Sequence, residues 1–317
     1  MLAMRGLAAL VLAASAPAGG FTLQDPAIDE ASALVVVGGA HGTDRLWATT
    51  NDSGDTGRVF VVDDAGRTVG VTHWSQSPRD VEALAPAPSG RDVWVGDIGD
   101  NTASREHVQV ARVPVGRGER TVHPTIYSLS YPDGAHDAET LLCDPATGRL
   151  YVATKGWLGG TLYAAPQRLV AGQDNPLLPI AAVLPMATDG AFLPGGDAVI
   201  VRGYFTATTY RWPSMDKIAS FPLPRQDQGE GVGVAAEGTV WLSSEGVHSE
   251  VVSMRLPAGA LPSAAHRPAG PGSDQPQGDS TVTGTTGESG GAWWPWVLGG
   301  GAAAVALGGF LRSLRRP

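Results

Sequence analysis

The chain has one cysteine, Cys143, among 317 residues. A single thiol excludes an intramolecular disulfide framework and any metal site built from several thiolates. Lysine is nearly absent, only Lys155 and Lys217, and 22 basic residues face 31 acids for a net charge of −9. That balance argues against nucleic acid as a partner, because neutralising phosphates needs a basic surface. No sustained 3.6-residue apolar stripe runs between Phe21 and Pro257, and 43 glycines and 24 prolines punctuate the chain. A helical bundle is excluded on both counts. Catalytic signatures are missing too. Gly287–Gly291 matches G-x-S-x-G but lies in a Gly/Ser/Thr-rich stretch without a strand-to-helix turn. Gly231-Val232-Gly233 is followed by no helical pattern, and the histidines lack metal-ligand spacing. What is present is 43% hydrophobic residues, ample for one sizeable core.

Both ends address the chain to a membrane. Residues 1–18 carry Arg5, a short apolar run and Ala16-Pro17-Ala18, the pattern of a signal peptide cleaved before Gly19. Residues 258–292 read as a flexible Pro/Gly/Ser-rich stalk. Trp293–Leu311 has no charged residue, and its 19 residues would extend about 28 Å as a helix, close to the hydrocarbon thickness of a bilayer. Trp293, Trp294 and Trp296 belt one end, and Arg312, Arg315 and Arg316 in the 312–317 tail close the other. The expectation is a bacterial single-pass protein with its C-terminus cytoplasmic and the 19–257 body outside.

That body repeats. An acid opens each unit, a glycine-containing turn separates two apolar strands, and a third strand runs to a proline. The opening acids are Glu30, Glu82, Glu139, Asp189 and Glu230, spaced by 52, 57, 50 and 41 residues. Matching second-strand positions hold Trp47, Trp94, Tyr151, Ile200 and Trp241. Alternating fourth strands, TVGVTHW, TIYSLSYP, IAAVLP and KIASFPLP, follow the first four units. Four-stranded units of this length predict an all-β, five-bladed β-propeller, with six blades as the alternative. The fifth unit lacks a fourth strand while Phe21–Leu23 stands alone, so the N-terminal segment is expected to close the ring.

Asn51–Gly54 (NDSG), Arg79–Ala85 (RDVEALA), Gly96–Asn101 (GDIGDN), His136–Leu142 (HDAETLL) and Gln228–Val232 (QGEGV) carry a family resemblance. Together with Thr154–Gly156 and Thr188–Phe192 they resemble a widespread group of secreted bacterial propellers, loosely related to NHL, YWTD and gluconolactonase-type propellers. The resemblance covers the whole body of the chain. It implies a fold and a secreted location and hardly any chemistry. The glutamate, asparagine and aspartate metal set of true gluconolactonases has no residue-by-residue counterpart here.

If the five opening acids occupy equivalent places, their carboxylates converge on one end of the channel and raise one another's pKa unless compensated. Asp80 and Asp137 would point to the same side as Glu82 and Glu139, and Lys155, Arg202, Arg79 and His136 are candidate partners. The ring then either receives a cation or a cationic or polyhydroxyl ligand, or serves as inter-blade cement through hydrogen-bonded carboxylates. Asp52, Asp97 and Asp100 sit in oxygen-rich loops of the kind calcium prefers, though such residues also build ordinary turns. Two functions compete: an extracellular ligand- or partner-binding module, and a Ca-dependent hydrolase of lactonase or phosphoesterase type.

Overall fold

The computed structural model describes residues 19–38, 45–52 and 54–262. The expected signal peptide, membrane span and basic tail, and the stalk beyond Pro262, lie outside the described residues. Among the described residues no helix is long and apolar enough to cross a membrane.

The first strand is β1 (Gly19–Thr22). Blade one follows as β2 (Val35–Val37), β3 (Leu46–Thr49), β4 (Arg58–Asp63) and β5 (Thr68–Trp74). Blade two is β6 (Val81–Pro86), β7 (Asp92–Asp97), β8 (Val108–Pro114) and, after β9 (Gly118–Val122), β10 (Ile126–Ser130). Blade three is β11 (Ala138–Cys143), β12 (Leu150–Thr154), β13 (Gly160–Ala164) and, after β14 (Asp174–Pro176), β15 (Leu178–Val183). Blade four is β16 (Asp189–Phe192), β17 (Ala198–Arg202), β18 (Thr206–Arg211) and β19 (Lys217–Pro222). Blade five is β20 (Gly229–Val234), β21 (Val240–Ser244) and β22 (Glu250–Met254), and β1 is its fourth strand. The described residues thus form a five-bladed propeller of four-stranded antiparallel blades.

Inner strands are packed on both faces by the neighbouring blades, so they read as continuous apolar runs; every residue of β11, β12 and β17 is buried. Outer strands alternate, as in β5 and β19, because one face meets water. The core is five apolar layers, one between each pair of adjacent blades. The last, between blades five and one, holds Leu23, Trp47, Phe60 and Val251. β1 pairs antiparallel with β22 from Gly19↔Ser253 to Thr22↔Glu250, which closes the ring as the unpaired N-terminal segment suggested.

Three features departed from the repeat. β9 adds to β5, and β14 to β10, as parallel fifth strands. Both are short and polar or proline-containing, and carry no alternation to betray them. Of the segment read as stalk, Ala260 is wholly buried in the layer between blades four and five. The propeller therefore extends past Pro257.

Candidate functional site

The acids gather at one end of the channel through a register rule. Trp47, Trp94, Tyr151, Ile200 and Trp241 pair with Val36, Ala85, Leu142, Ala191 and Gly233 on the inner strands. Three residues before those partners stand Ala33, Glu82, Glu139, Thr188 and Glu230. The equivalent acids are thus three glutamates on blades two, three and five, and the expected fivefold ring is corrected to a threefold set. Each of the three sits at a β-bulge, Val81/Ala83, Ala138/Thr140 and Gly229/Val232, which re-aims a side chain out of the normal alternation. Blade four has no such bulge. Asp189 is one position out of step, and its carboxylate accepts the N–H groups of Gly190 and Val232, each at 2.7 Å. It is inter-blade cement. Glu30 lies ahead of the inner strand of blade one, where its carbonyl accepts the Asp52 N–H at 3.0 Å.

A second tier comes from the loops after the second strands. Asn51, Asp97, Thr154, Arg202 and Ser244 face the starts of the inner strands. The residues that follow them are Asp52, Ile98, Lys155, Gly203 and Glu245. Lys155 makes an ion pair with Glu139 and lies 5.1 Å from the centre of the Tyr204 ring, joining blades three and four. Arg202 is wholly buried, and its Nη1 donates to the carbonyls of Gly231 at 3.0 Å and Ser243 at 3.3 Å and to Gln226 Oε1 at 3.2 Å. It ties blade four to blade five. Asp52, Asp80 and Glu82 offer carboxylate oxygens within 4.8 Å of one another.

Other candidates do structural work. Asp97 accepts the N–H groups of Arg79 at 3.1 Å and Asp80 at 3.0 Å and pairs with Arg105 at 2.8 Å. Asp100 accepts the N–H groups of Ser104 and Arg105, both at 2.7 Å. Both aspartates shape the GDIGDN loop and stand apart from the close carboxylate group. Asp137 accepts the Asp100 N–H at 2.8 Å and so fixes that loop to blade three. The Arg79 side chain reaches Ser104 at 3.4 Å, and His136 pairs with Asp133 at 3.1 Å. Neither neutralises the mouth. Tyr204 and Arg105 were not singled out from sequence. Glu245 carried a faint signal, its place one residue after the second strand, like Asp52 and Lys155.

Burial dominates the electrostatics. It raises Glu82 well above the ordinary carboxylate range, with Glu139, Asp52 and Asp80 adding repulsion. Burial likewise raises Glu139, against the opposing pull of Lys155. Asp80 and Glu230 are each pushed up to about 7, chiefly by burial. Glu245 is pushed up to about 8 by burial and then by Glu230, Asp52 and Glu30. Burial works against the charge of Lys155, yet Glu139, Tyr204 and Glu230 hold it above its ordinary value.

These shifts set a pH dependence. Glu230 and Glu245 bind protons more tightly folded than unfolded, where glutamate titrates near 4.3. Their contribution is fully present below that value and is lost as pH rises through the folded values of about 7 and about 8. In EDTA the melting temperature should therefore be higher at pH 6 than at pH 8.5. A flat profile over this window, read by differential scanning calorimetry, would contradict the buried-acid mouth.

No family model and no curated protein matches the chain. Among solved structures it is similar to hydrazine synthase of Kuenenia stuttgartiensis, at 13% identity over 68% of this chain and 56% of that one, with a TM-score of 0.40. It is similar also to Sqt1 of Chaetomium thermophilum bound to the N-terminus of ribosomal protein L10, at 15% identity, 71% and 58% coverage and a TM-score of 0.37. A glucose dehydrogenase matches at 11% identity over 75% of this chain and 99% of that one, with a TM-score of 0.44. The chain spans less than two thirds of the first two. At this identity and overlap none of them speaks to what the chain does.

Proposed function

We propose that the chain is a membrane-anchored, extracellular binding module whose acidic channel mouth receives a basic side chain of a partner protein. The observation that carries this reading is the rim of the mouth. The loops that bring Lys155, Tyr204 and Glu245 inward also hold Trp157 at 65% exposure, Leu158 at 100%, Phe205 at 64% and Val247 at 53%. Large apolar side chains held exposed on the loops that also line the mouth mark an interaction surface rather than a solvated loop. Aromatic anchors beside a buried acidic centre suit a lysine or arginine flanked by an apolar residue, since the rim gives affinity and the charges give orientation. The anchor and outward orientation rest on the sequence pattern at both ends.

The test uses the full-length protein in detergent and a fluorescent peptide with lysine between tryptophan and leucine. Binding should strengthen as pH rises through about 7 to 8, where Glu230 and Glu245 ionise, and should disappear when the lysine is acetylated. Trp157→Ala with Phe205→Ala should cost about tenfold or more in Kd, the scale of losing interface anchors. Equal affinity for acetylated and free peptide would reject the acidic mouth as the receptor. Protease applied to intact cells should release the propeller; a chain that only lysis exposes to protease would reject the outward orientation.

A further inference from the structure

We propose that Asp52, Asp80 and Glu82 form a binding site for one calcium-class divalent cation, bridging blades one and two at the channel mouth. Asp52 comes from the loop after β3, and Asp80 and Glu82 come from the start of β6. One oxygen from each lies within 4.8 Å of the other two. Oxygens around a single ion at roughly 2.3–2.6 Å adopt this spacing.

Acidic clusters are common without ions, and one further observation sets this one apart. Asp80 is 8% exposed, and its buried Oδ1 has no hydrogen-bond partner. A buried oxygen without a donor bears its full desolvation cost, which a cation between the carboxylates removes. The loop backbone also closes tightly over the acids. A Cβ at residue 99 would come 2.4 Å from Asp80 Oδ2 and 2.7 Å from Glu82 Cγ, so only glycine fits there. Among the described residues, Arg105 pairs with Asp97 and donates to the Gly99 carbonyl, both at 2.8 Å, and Lys155 pairs with Glu139.

The donors select the ion. An all-carboxylate set without imidazole or thiolate suits a hard cation. Calcium accepts six to eight oxygens in irregular geometry, whereas magnesium demands a near-ideal octahedron and keeps most of its water. Three carboxylates leave calcium positions for water or for oxygens of a ligand. The site lies on blades one and two and does not require the basic-side-chain reading, which rests on the rim of blades three to five.

Full-length protein stripped with EDTA and dialysed is titrated with calcium chloride by calorimetry, and its melting temperature is followed in parallel. One ion per chain is expected, with melting raised by about 5–10 °C at a hundredfold excess over Kd. Asp80→Asn should abolish both the heat and the shift. In EDTA it should melt no lower than the parent, because an amide carries no charge to be buried beside Asp52 and Asp137. If Asp80→Asn does not fold, Asp52→Asn on the adjacent loop gives the same readout. A parent that shows neither heat nor shift at millimolar calcium overturns the site. So does a folded variant that binds calcium as the parent does. Peptide binding lost with calcium binding intact counts against the rim reading alone, and the converse counts against the cation site alone.

Discussion

A chain lacking residues 19–23 should melt about 10–20 °C below the parent and aggregate on heating. The segment supplies β1, four antiparallel pairs with β22, and one further backbone bond, Leu23 N–H to the Ser249 carbonyl at 3.0 Å. Leu23 is wholly buried, and Phe21 packs 5.9 Å from both Trp47 and Trp241. Full burial of Leu23 stabilises by about 1.5–3 kcal/mol, and the partly buried Phe21 contributes less. With the lost backbone pairs the total reaches about 5 kcal/mol, and each kcal/mol lowers melting by about 2–4 °C in a domain of this size. Gly66 shows how closely the segment is held: at φ 75° it turns the chain between β4 and β5, and a Cβ there would lie 1.8 Å from the Thr22 carbonyl oxygen. Deletion leaves β22 an open edge beside uncovered tryptophans, which invites pairing with another chain. A synthetic peptide of residues 19–24 added in trans should restore part of the loss by strand addition. Unchanged melting of the deleted chain would mean that the ring is closed by other contacts.

The closure was legible because an unpaired strand at one end and a three-stranded unit at the other are complementary absences. Blade number was legible for a similar reason, since second-strand Trp47, Trp94, Tyr151 and Trp241 mark a fixed register that burial enforces. The acid ring was only partly legible. Spacing in sequence places Asp189 beside Glu82, Glu139 and Glu230, but a bulge adds one residue to a strand without leaving a composition signal. Blade four lacks the bulge, so an acid that looks equivalent turns into the sheet and bonds backbone. Which acids share a counter-charge was not readable either. Lys155 and Arg202 stand at the ends of neighbouring second strands, yet one pairs with Glu139 in its own blade and the other reaches across to blade five. Such partnerships depend on the angle between blades, which no local pattern encodes.

Arg202 provides the sharpest measure of how much the mouth's charges hold the fold. Arg202→Met should lose about 3–5 kcal/mol in urea unfolding at neutral pH, since each buried acceptor left without its donor costs about 1–3 kcal/mol. Three groups lose a donor together: the Gly231 and Ser243 carbonyls and Gln226 Oε1. Glu230 also loses a nearby positive charge while remaining 5% exposed. Burial lowers Arg202 only to about 10, so it is charged throughout the neutral range and its bonds to these oxygens are charge-assisted. Arg67→Met makes the contrast. Its guanidinium pairs with Asp63 at 2.8 Å, but the Arg67 side chain is 68% exposed. Solvent and salt screen such a pair to less than about 1 kcal/mol. Arg202→Met combined with Glu230→Gln should recover part of the loss, since the second change removes the stranded acid, whereas Arg67→Met combined with Glu230→Gln should be additive. If Arg202→Met costs no more than Arg67→Met, the guanidinium is not the tie between blades four and five.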